Sequence, residues 1–254
     1  MVCMVGASTN GLRGRIEAGE LLHGTFLDLG APVAAEIAAT GGFDWLVLDL
    51  EHGAGGRDTT LAQLHAAAHV PVLVRVPSAA SEELGWVLDF GAAGVVIPRV
   101  DGVAAAAEAV DRSRYAAGRG LHGGVRAAGF GRDAGYLGRA DDERVVMVQI
   151  ETPGALGEAA EIAALPGVDV LFLGPYDLGH ALGLPPGPES PEMQSTAQAV
   201  ATAAREAGKA AAVFLGEPGL AARYRELGFN LIASGSAAGL LVGAYAERLA
   251  ALRA

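Results

Sequence analysis

Residues 145–177 read VVMVQIETPGALGEAAEIAALPGVDVLFLGPYD. Two apolar runs, 145–150 and 168–173, flank a segment of helical periodicity at 155–165. Runs of this length, rich in Val, Leu and Ile and without polar alternation, mark strands covered on both faces, and two of them joined through a helix make a parallel βαβ unit. Outward from this unit the pattern repeats. Similar runs occur at 24–29, 45–49, 71–76, 94–98, 210–215 and 229–233, with helical segments at about 32–41, 59–68, 81–91, 102–113, 191–207, 217–227 and 236–252. Eight strand-then-helix units in 254 residues predict one TIM-type (β/α)8 barrel spanning residues 1–254, because an open doubly wound sheet of this length has fewer strands or a second domain. Segment 114–144, rich in Gly and Arg, has no clear period and reads as a long functional or contact loop.

Composition narrows the partners. Hydrophobic residues make up 51% and charged residues 19%, enough for a substantial core and too apolar for disorder. Eighteen Lys and Arg against 29 Asp and Glu give a net charge of −11, which argues against nucleic acid and anionic membrane surfaces. Cys3 is the only cysteine, so no intramolecular disulfide forms, and the N-terminal residues lack a signal-peptide pattern; the expected location is the cytoplasm. Residues 227–246 carry no charge and include Gly235, Gly239 and Gly243, the spacing of membrane helix dimers. Asn230, Ser234 and Ser236 interrupt the run, which reads instead as a short buried strand leading into a helix with a small-residue face.

In such a barrel the chemistry lies at the rim formed by the C-terminal ends of the strands. Strand two ends in Asp49, Glu51 and His52, strand three in Arg75, strand five in Gln149 and Glu151, and strand six leads through Gly174 and Pro175 to Asp177. Glu151 and Asp177 end neighbouring strands, a placement that suits two hard oxygen ligands on one octahedral cation such as Mg²⁺ or Mn²⁺; helix capping or pairing with arginine is the structural alternative. His52 is the candidate proton carrier, oriented by Asp49 or Asp89. Arg75, at the end of a buried strand, needs an anionic partner, either a substrate oxygen or a neighbouring aspartate. Lys209 is the only lysine and precedes strand seven, at the entry end of the barrel. Schiff-base and pyridoxal-phosphate mechanisms both need an amine in the site, so carbanion chemistry here calls for a metal as Lewis acid. The Ser234-Gly235-Ser236 turn has the composition of a phosphate cradle but no basic residue.

These residues, taken in order, resemble the HpcH/HpaI family of metal-dependent pyruvate aldolases. The likeness runs through NGLRGRIEAGELLHGTFL, GFDWLVLDLEHG, PVLVRVPS followed by Asp89, VQIETPGAL, GVDVLFLGPYDLG, SPEMQ, REAGK and RYRELG, nearly the whole chain. The resemblance implies a barrel that reversibly cleaves a 4-hydroxy-2-oxo acid to pyruvate and an aldehyde, with Mg²⁺, Mn²⁺ or Co²⁺ at Glu151 and Asp177 and His52 as the catalytic base. It implies that Arg75 steadies the pyruvate enolate, that Asp49 and Asp89 are acidic partners of the base, and that Gln149, Gly174 and Pro175 line the pyruvate side. It also implies a homo-oligomer, a hexamer built as a trimer of dimers with the last helix exchanged. The chain departs from the family pattern at Ala116 and Ala117, which replace prolines, at His122, which replaces an arginine, at Ser236-Ala237, which lacks an aspartate, and at Phe26, where some relatives have tryptophan. A related lyase acting on a CoA thioester, served by Arg119, Arg126 and Arg132, and a non-catalytic 2-oxo acid-binding barrel are the other readings.

Overall fold

A computed structural model describes residues 9–254, with side chains from residue 11 onward. The chain runs α1 (Thr9–Glu17), β1 (Leu22–Leu27), α2 (Pro32–Thr40), β2 (Trp45–Asp49), α3 (Arg57–Ala66), β3 (Val72–Arg75), α4 (Glu83–Asp89), β4 (Gly94–Ile97) and α5 (Val103–Ser113). After α6 (Tyr136–Glu143) come β5 (Val145–Ile150), α7 (Pro153–Gly157), α8 (Ala159–Ala164), β6 (Val170–Leu173), α9 (Pro175–Ala181) and α10 (Pro191–Glu206). The chain ends with β7 (Ala210–Leu215), α11 (Ala221–Glu226), β8 (Leu231–Ser236) and α12 (Ala237–Arg253). The eight strands close in chain order into a parallel barrel, with β8 returning to pair with β1.

Side-chain parity along each strand decides what enters the barrel. Trp45 and Val47 of β2, Leu73 of β3, Val96 of β4, Val145 and Met147 of β5, and Val170 and Phe172 of β6 pack together in the interior. Their alternate neighbours, Leu46, Leu48, Val74, Val95, Val148 and Leu171, pack outward under the helices. The same parity carries Asp49, Arg75 and Gln149 to the inner mouth. Gly24 of β1 makes room for the wholly buried Trp45, since a β-carbon there would lie 2.5 Å from the indole ring.

Helix α1 stands outside the eightfold alternation and has its own task. Leu12 and Ile16, 0% and 7% exposed, join the interior cluster at the strand-entry end. The barrel is thus plugged at one end by apolar side chains and open to polar ones at the other.

The remaining differences from the periodic reading have local causes. The segment expected as one helix over 155–165 divides into α7 and α8 because Glu158 leaves helical backbone (φ −114°, ψ 23°). Its carboxylate accepts the Val103 N–H at 2.6 Å, binding the α7–α8 junction to the start of α5. Segment 114–144 is not a structureless loop: it holds a 3₁₀ turn at Arg126–Ala128, helix α6, and a small core of Ala128, Tyr136 and Ala140. Because α5 runs away from the end of β4, this segment sits at the strand-entry end. Residues 227–246 form β8 and the start of α12, and no described helix is long and apolar enough to cross a membrane. The amides of α12 are already capped: Ser236 Oγ accepts the Gly239 N–H and Asp28 Oδ1 accepts the Ala238 N–H at 2.9 Å, so a carboxylate occupies the place a phosphate would need. Cys3 lies outside the described residues.

If α1 is the plug, Leu12→Ala leaves a void that the barrel cannot collapse to fill. The expected loss is about 3 kcal/mol of unfolding free energy in urea denaturation, within the usual range for a buried leucine; a loss below about 1 kcal/mol contradicts the role.

Candidate active site

In the β2–β3 register Asp49 lies directly beside Arg75. The two form a fork: Arg75 Nε donates to Asp49 Oδ1 at 2.9 Å and Nη2 to Oδ2 at 2.6 Å. Nη1 stands 3.3 Å from Glu51 Oε2, and the guanidinium lies 5.0 Å from the centre of the Phe26 ring. Burial alone would push both ionised groups toward neutrality. For Arg75 the ion pair with Asp49 outweighs that penalty and holds the guanidinium protonated, and for Asp49 the same pair holds the carboxyl below its ordinary range.

Asp49 also shapes the turn that follows it. Oδ1 accepts the backbone N–H groups of Glu51 and His52 at 3.0 and 3.2 Å. Asp49 thus positions His52 through its amide rather than through its ring. The imidazole is 65% exposed, with Nε2 3.9 Å from Glu51 Oε1.

Across the mouth, β5 and β6 each run directly into a helix that begins with proline, Pro153 in α7 and Pro175 in α9. This holds Glu151 at the strand end and places Asp177 in the first turn of α9. Gln149 Nε2 donates to Glu151 Oε2 at 2.8 Å, and the Arg99 N–H donates to Glu151 Oε1 at 2.6 Å. Gly174 allows the two strand ends to approach, because a β-carbon there would sit 2.8 Å from Glu151 Oε2. Burial, then the charges of Glu51 and Asp177, push the Glu151 carboxyl up to about 7. Glu51 is also raised, by burial first and then by Asp49 and Asp177.

These groups surround a cavity of about 110 Å³ lined by Phe26, Asp49, Arg75, Gln149, Gly174 and Asp177. Gln149 Oε1 is buried there without a hydrogen-bond partner. The donor set fits a divalent cation: two hard carboxylates, Glu151 and Asp177, neither of them in an ion pair with the described residues, stand beside an unmet polar atom. Among the described residues no three His, Cys, Asp or Glu groups converge on one point, so the remaining positions fall to water or substrate. A larger cleft of about 390 Å³ lies at the opposite end, beside Arg13, Asp169 and Lys209, away from this chemistry.

The fold therefore brings together Asp49, His52, Arg75, Gln149, Glu151, Gly174, Pro175 and Asp177. Asp89 is different, and its expected place beside His52 needs correction for a single chain. It ends α4, at the strand-entry end, where it pairs with the buried Arg119 and accepts from the Tyr115 hydroxyl at 3.2 Å. Two site groups had no assigned role in the sequence reading. Glu51 has the same strand parity as Asp49, which is the signal that could have found it. The Arg99 contribution is a backbone amide, and no side-chain pattern announces it.

Against known proteins, residues 22–244 match the family model described as HpcH/HpaI aldolase/citrate lyase, and the chain belongs to that family. It is 39% identical over 235 residues to the hydroxypyruvate/pyruvate aldolase of Paraburkholderia phytofirmans, covering 89% of this chain and 90% of that protein. It is 37% identical over 247 residues to the 4-hydroxy-2-oxo-heptane-1,7-dioate aldolase of Shigella sonnei, covering 95% and 94%. The crystal structure of an HpcH/HpaI aldolase/citrate lyase family protein from Burkholderia cenocepacia superposes with a TM-score of 0.90 at 36% identity, covering 96% of this chain and all of that one.

A buried carboxyl raised from about 4.5 to about 7 binds its proton more tightly in the folded chain, so its contribution to stability is full below about pH 4.5 and is lost as pH rises through 7. In the metal-free protein, Glu151→Gln should flatten this part of the pH profile, removing a decline on the order of 3 kcal/mol. Thermal or urea unfolding between pH 4.5 and 8 measures it, and parallel profiles for the two proteins contradict the assignment.

Proposed function

We propose that the chain is a divalent-metal-dependent aldolase, a carbon–carbon lyase that cleaves a 4-hydroxy-2-oxo acid of the 2-keto-3-deoxy type to pyruvate and an aldehyde and runs the reverse condensation. The observation that carries this reading is the buried Asp49–Arg75 fork on a cavity of about 110 Å³ that Gln149 and Asp177 also line, with Glu151 held behind it by Gln149; the volume is roughly the share of three to four waters and suited to a three-carbon oxo acid. The aldolase names of relatives matched over most of the chain support it.

Glu151 and Asp177 would hold the cation, Mg²⁺, Mn²⁺ or Co²⁺, which supplies Lewis-acid stabilisation of the negative charge that develops on the oxo acid. Arg75, kept protonated and immobile by Asp49, presents its remaining N–H groups to that developing oxyanion with little reorganisation. Gln149 and the bare backbone at Gly174 and Pro175 line the oxo acid side. On cleavage His52 takes the proton of the 4-hydroxyl, the C4–O bond becomes the aldehyde carbonyl, and the C3–C4 electron pair passes into the pyruvate enolate, which is then protonated at C3. On synthesis His52 serves the reverse proton transfers. The exposure of its ring leaves it free to reach a substrate hydroxyl at the mouth.

The CoA-thioester reading loses two of its three cations, and the third, Arg132, is exposed in the same strand-entry segment, away from the mouth. Arg119 is buried against Asp89, and Arg126 is half-buried and donates to the Phe90 carbonyl, both at the strand-entry end. For the quaternary structure, α12 has no buried residue and exposes Leu240, Leu241, Val242, Tyr245, Leu249 and Leu252 on one 17-residue helix. An apolar surface of that length favours a partner copy, and we place α12 in exchange between subunits of a cytoplasmic hexamer, a trimer of dimers.

Chelator should abolish turnover, and Mn²⁺, Mg²⁺ or Co²⁺ should restore it. Glu151→Ala and Asp177→Ala should each lose metal binding by calorimetry together with turnover; full activity in either removes that residue from the ligand set. The double variant Val242→Glu, Tyr245→Glu should dissociate the oligomer in light scattering, and an unchanged mass excludes α12 from the interface.

A further inference from the structure

Arg99 has no place in the chemistry above, yet the fold holds it in an unusual state. It follows β4 with φ at 53°, a left-handed conformation that costs a residue with a β-carbon roughly 1 kcal/mol or more. The surroundings over-determine that conformation. The Arg99 N–H is held by Glu151 Oε1 at 2.6 Å, the next carbonyl, of Val100, accepts from Thr152 Oγ1 at 2.8 Å, and the Val103 N–H is held by Glu158 at 2.6 Å. The chain from β4 into α5 is thus fastened to segment 151–158 after β5 at three points, and Arg99 starts one hydrogen bond from Glu151.

Its side chain has no such ties. It is exposed, and among the described residues it forms no ion pair, no side-chain hydrogen bond and no stack on a ring. The other arginines beside the strand ends are spent: Arg75 on Asp49 and Glu51, and Arg57 against the rings of Trp86 and Phe90. The rim around Arg99 is otherwise acidic, with Glu51, Glu151 and Asp177, a field that repels an anion unless a cation is provided. Arg99 also lies outside the lining of the cavity, on the opposite flank of Glu151 from Gly174 and Asp177. Outside the cavity lining, it can act only on what extends beyond a bound three-carbon oxo acid, not on the oxo acid itself.

We propose that Arg99 is a specificity residue that selects acceptor aldehydes bearing a distal carboxylate, through its free, exposed guanidinium on a rim backbone anchored to Glu151. This assignment rests on the aldolase reading. A planar guanidinium fork matches a carboxylate in two parallel hydrogen bonds, and a backbone clamped in advance lowers the ordering cost of forming them.

The test uses the metal-loaded full chain with pyruvate and two four-carbon aldehydes, 4-oxobutanoate and butanal, which differ in the terminal carboxylate. The wild-type protein should prefer 4-oxobutanoate. Arg99→Gln, which keeps the β-carbon and so the backbone strain, should lower the ratio of kcat/KM for 4-oxobutanoate over butanal by about tenfold, or ~1.4 kcal/mol, mainly through KM for the carboxylated aldehyde. Arg99→Lys should restore part of the ratio, and Arg99→Glu should lower it further. An equal ratio in wild type and Arg99→Gln overturns the proposal. Deuterium exchange at the pyruvate methyl group by the wild-type protein separates the two readings. Exchange without preference for 4-oxobutanoate overturns the Arg99 assignment alone, whereas absence of both exchange and condensation overturns the aldolase reading and Arg99 with it.

Discussion

The bidentate ion pair between Asp49 and Arg75 is the interaction on which the open end of this barrel depends. Both residues have the parity that points into the barrel, where a lone charge would be costly; together they offset each other's desolvation while leaving guanidinium N–H groups toward the cavity. Asp49 has a second duty. By accepting the amides of Glu51 and His52 it turns the chain sharply after β2, and this turn both brings Glu51 against Arg75 and leaves the imidazole exposed at the mouth.

The opposite wall is built on the reverse principle. Glu151 is buried with amide donors from Gln149 and Arg99 but without a cation of its own, and Glu51 and Asp177 add negative charge nearby. One wall holds a matched ion pair, and the other gathers carboxyls whose ionised forms burial and mutual repulsion disfavour. On the aldolase reading proposed above, a 2-oxo acid with a divalent cation would satisfy both at once, because the cation would answer the carboxylates and the developing oxyanion would answer Arg75. The apolar plug of α1 at the other end directs all of this polarity to a single mouth.

Much of the site was legible in the chain because a strand buried on both faces tolerates few polar residues. Where VLVR or VVMVQI interrupts its apolar run with Arg75 or Gln149, the exception itself marks the lumen end of the strand. Glu51 was visible by parity, two residues beyond Asp49. Arg99 was not, because its contribution to Glu151 is an amide that every residue but proline carries. Helix α6 also escaped the periodic reading, since glycine and arginine in segment 114–144 obscure an apolar face of only two buried residues, Tyr136 and Ala140.

Asp89 marks the boundary between the two kinds of information. Local sequence determined the eightfold alternation, the strand-end chemistry and the location of the only lysine outside the mouth, because burial on both strand faces and helix starts at proline act over a few residues. Which strand ends meet, and which acids do not, was decided only by closure of the barrel. Closure sets Asp49 beside Arg75 and Glu151 near Asp177 through strand register, while α4 carries Asp89 to the far end to meet Arg119 and Tyr115. Register and helix direction relate residues far apart in the chain, and no short-range pattern records them.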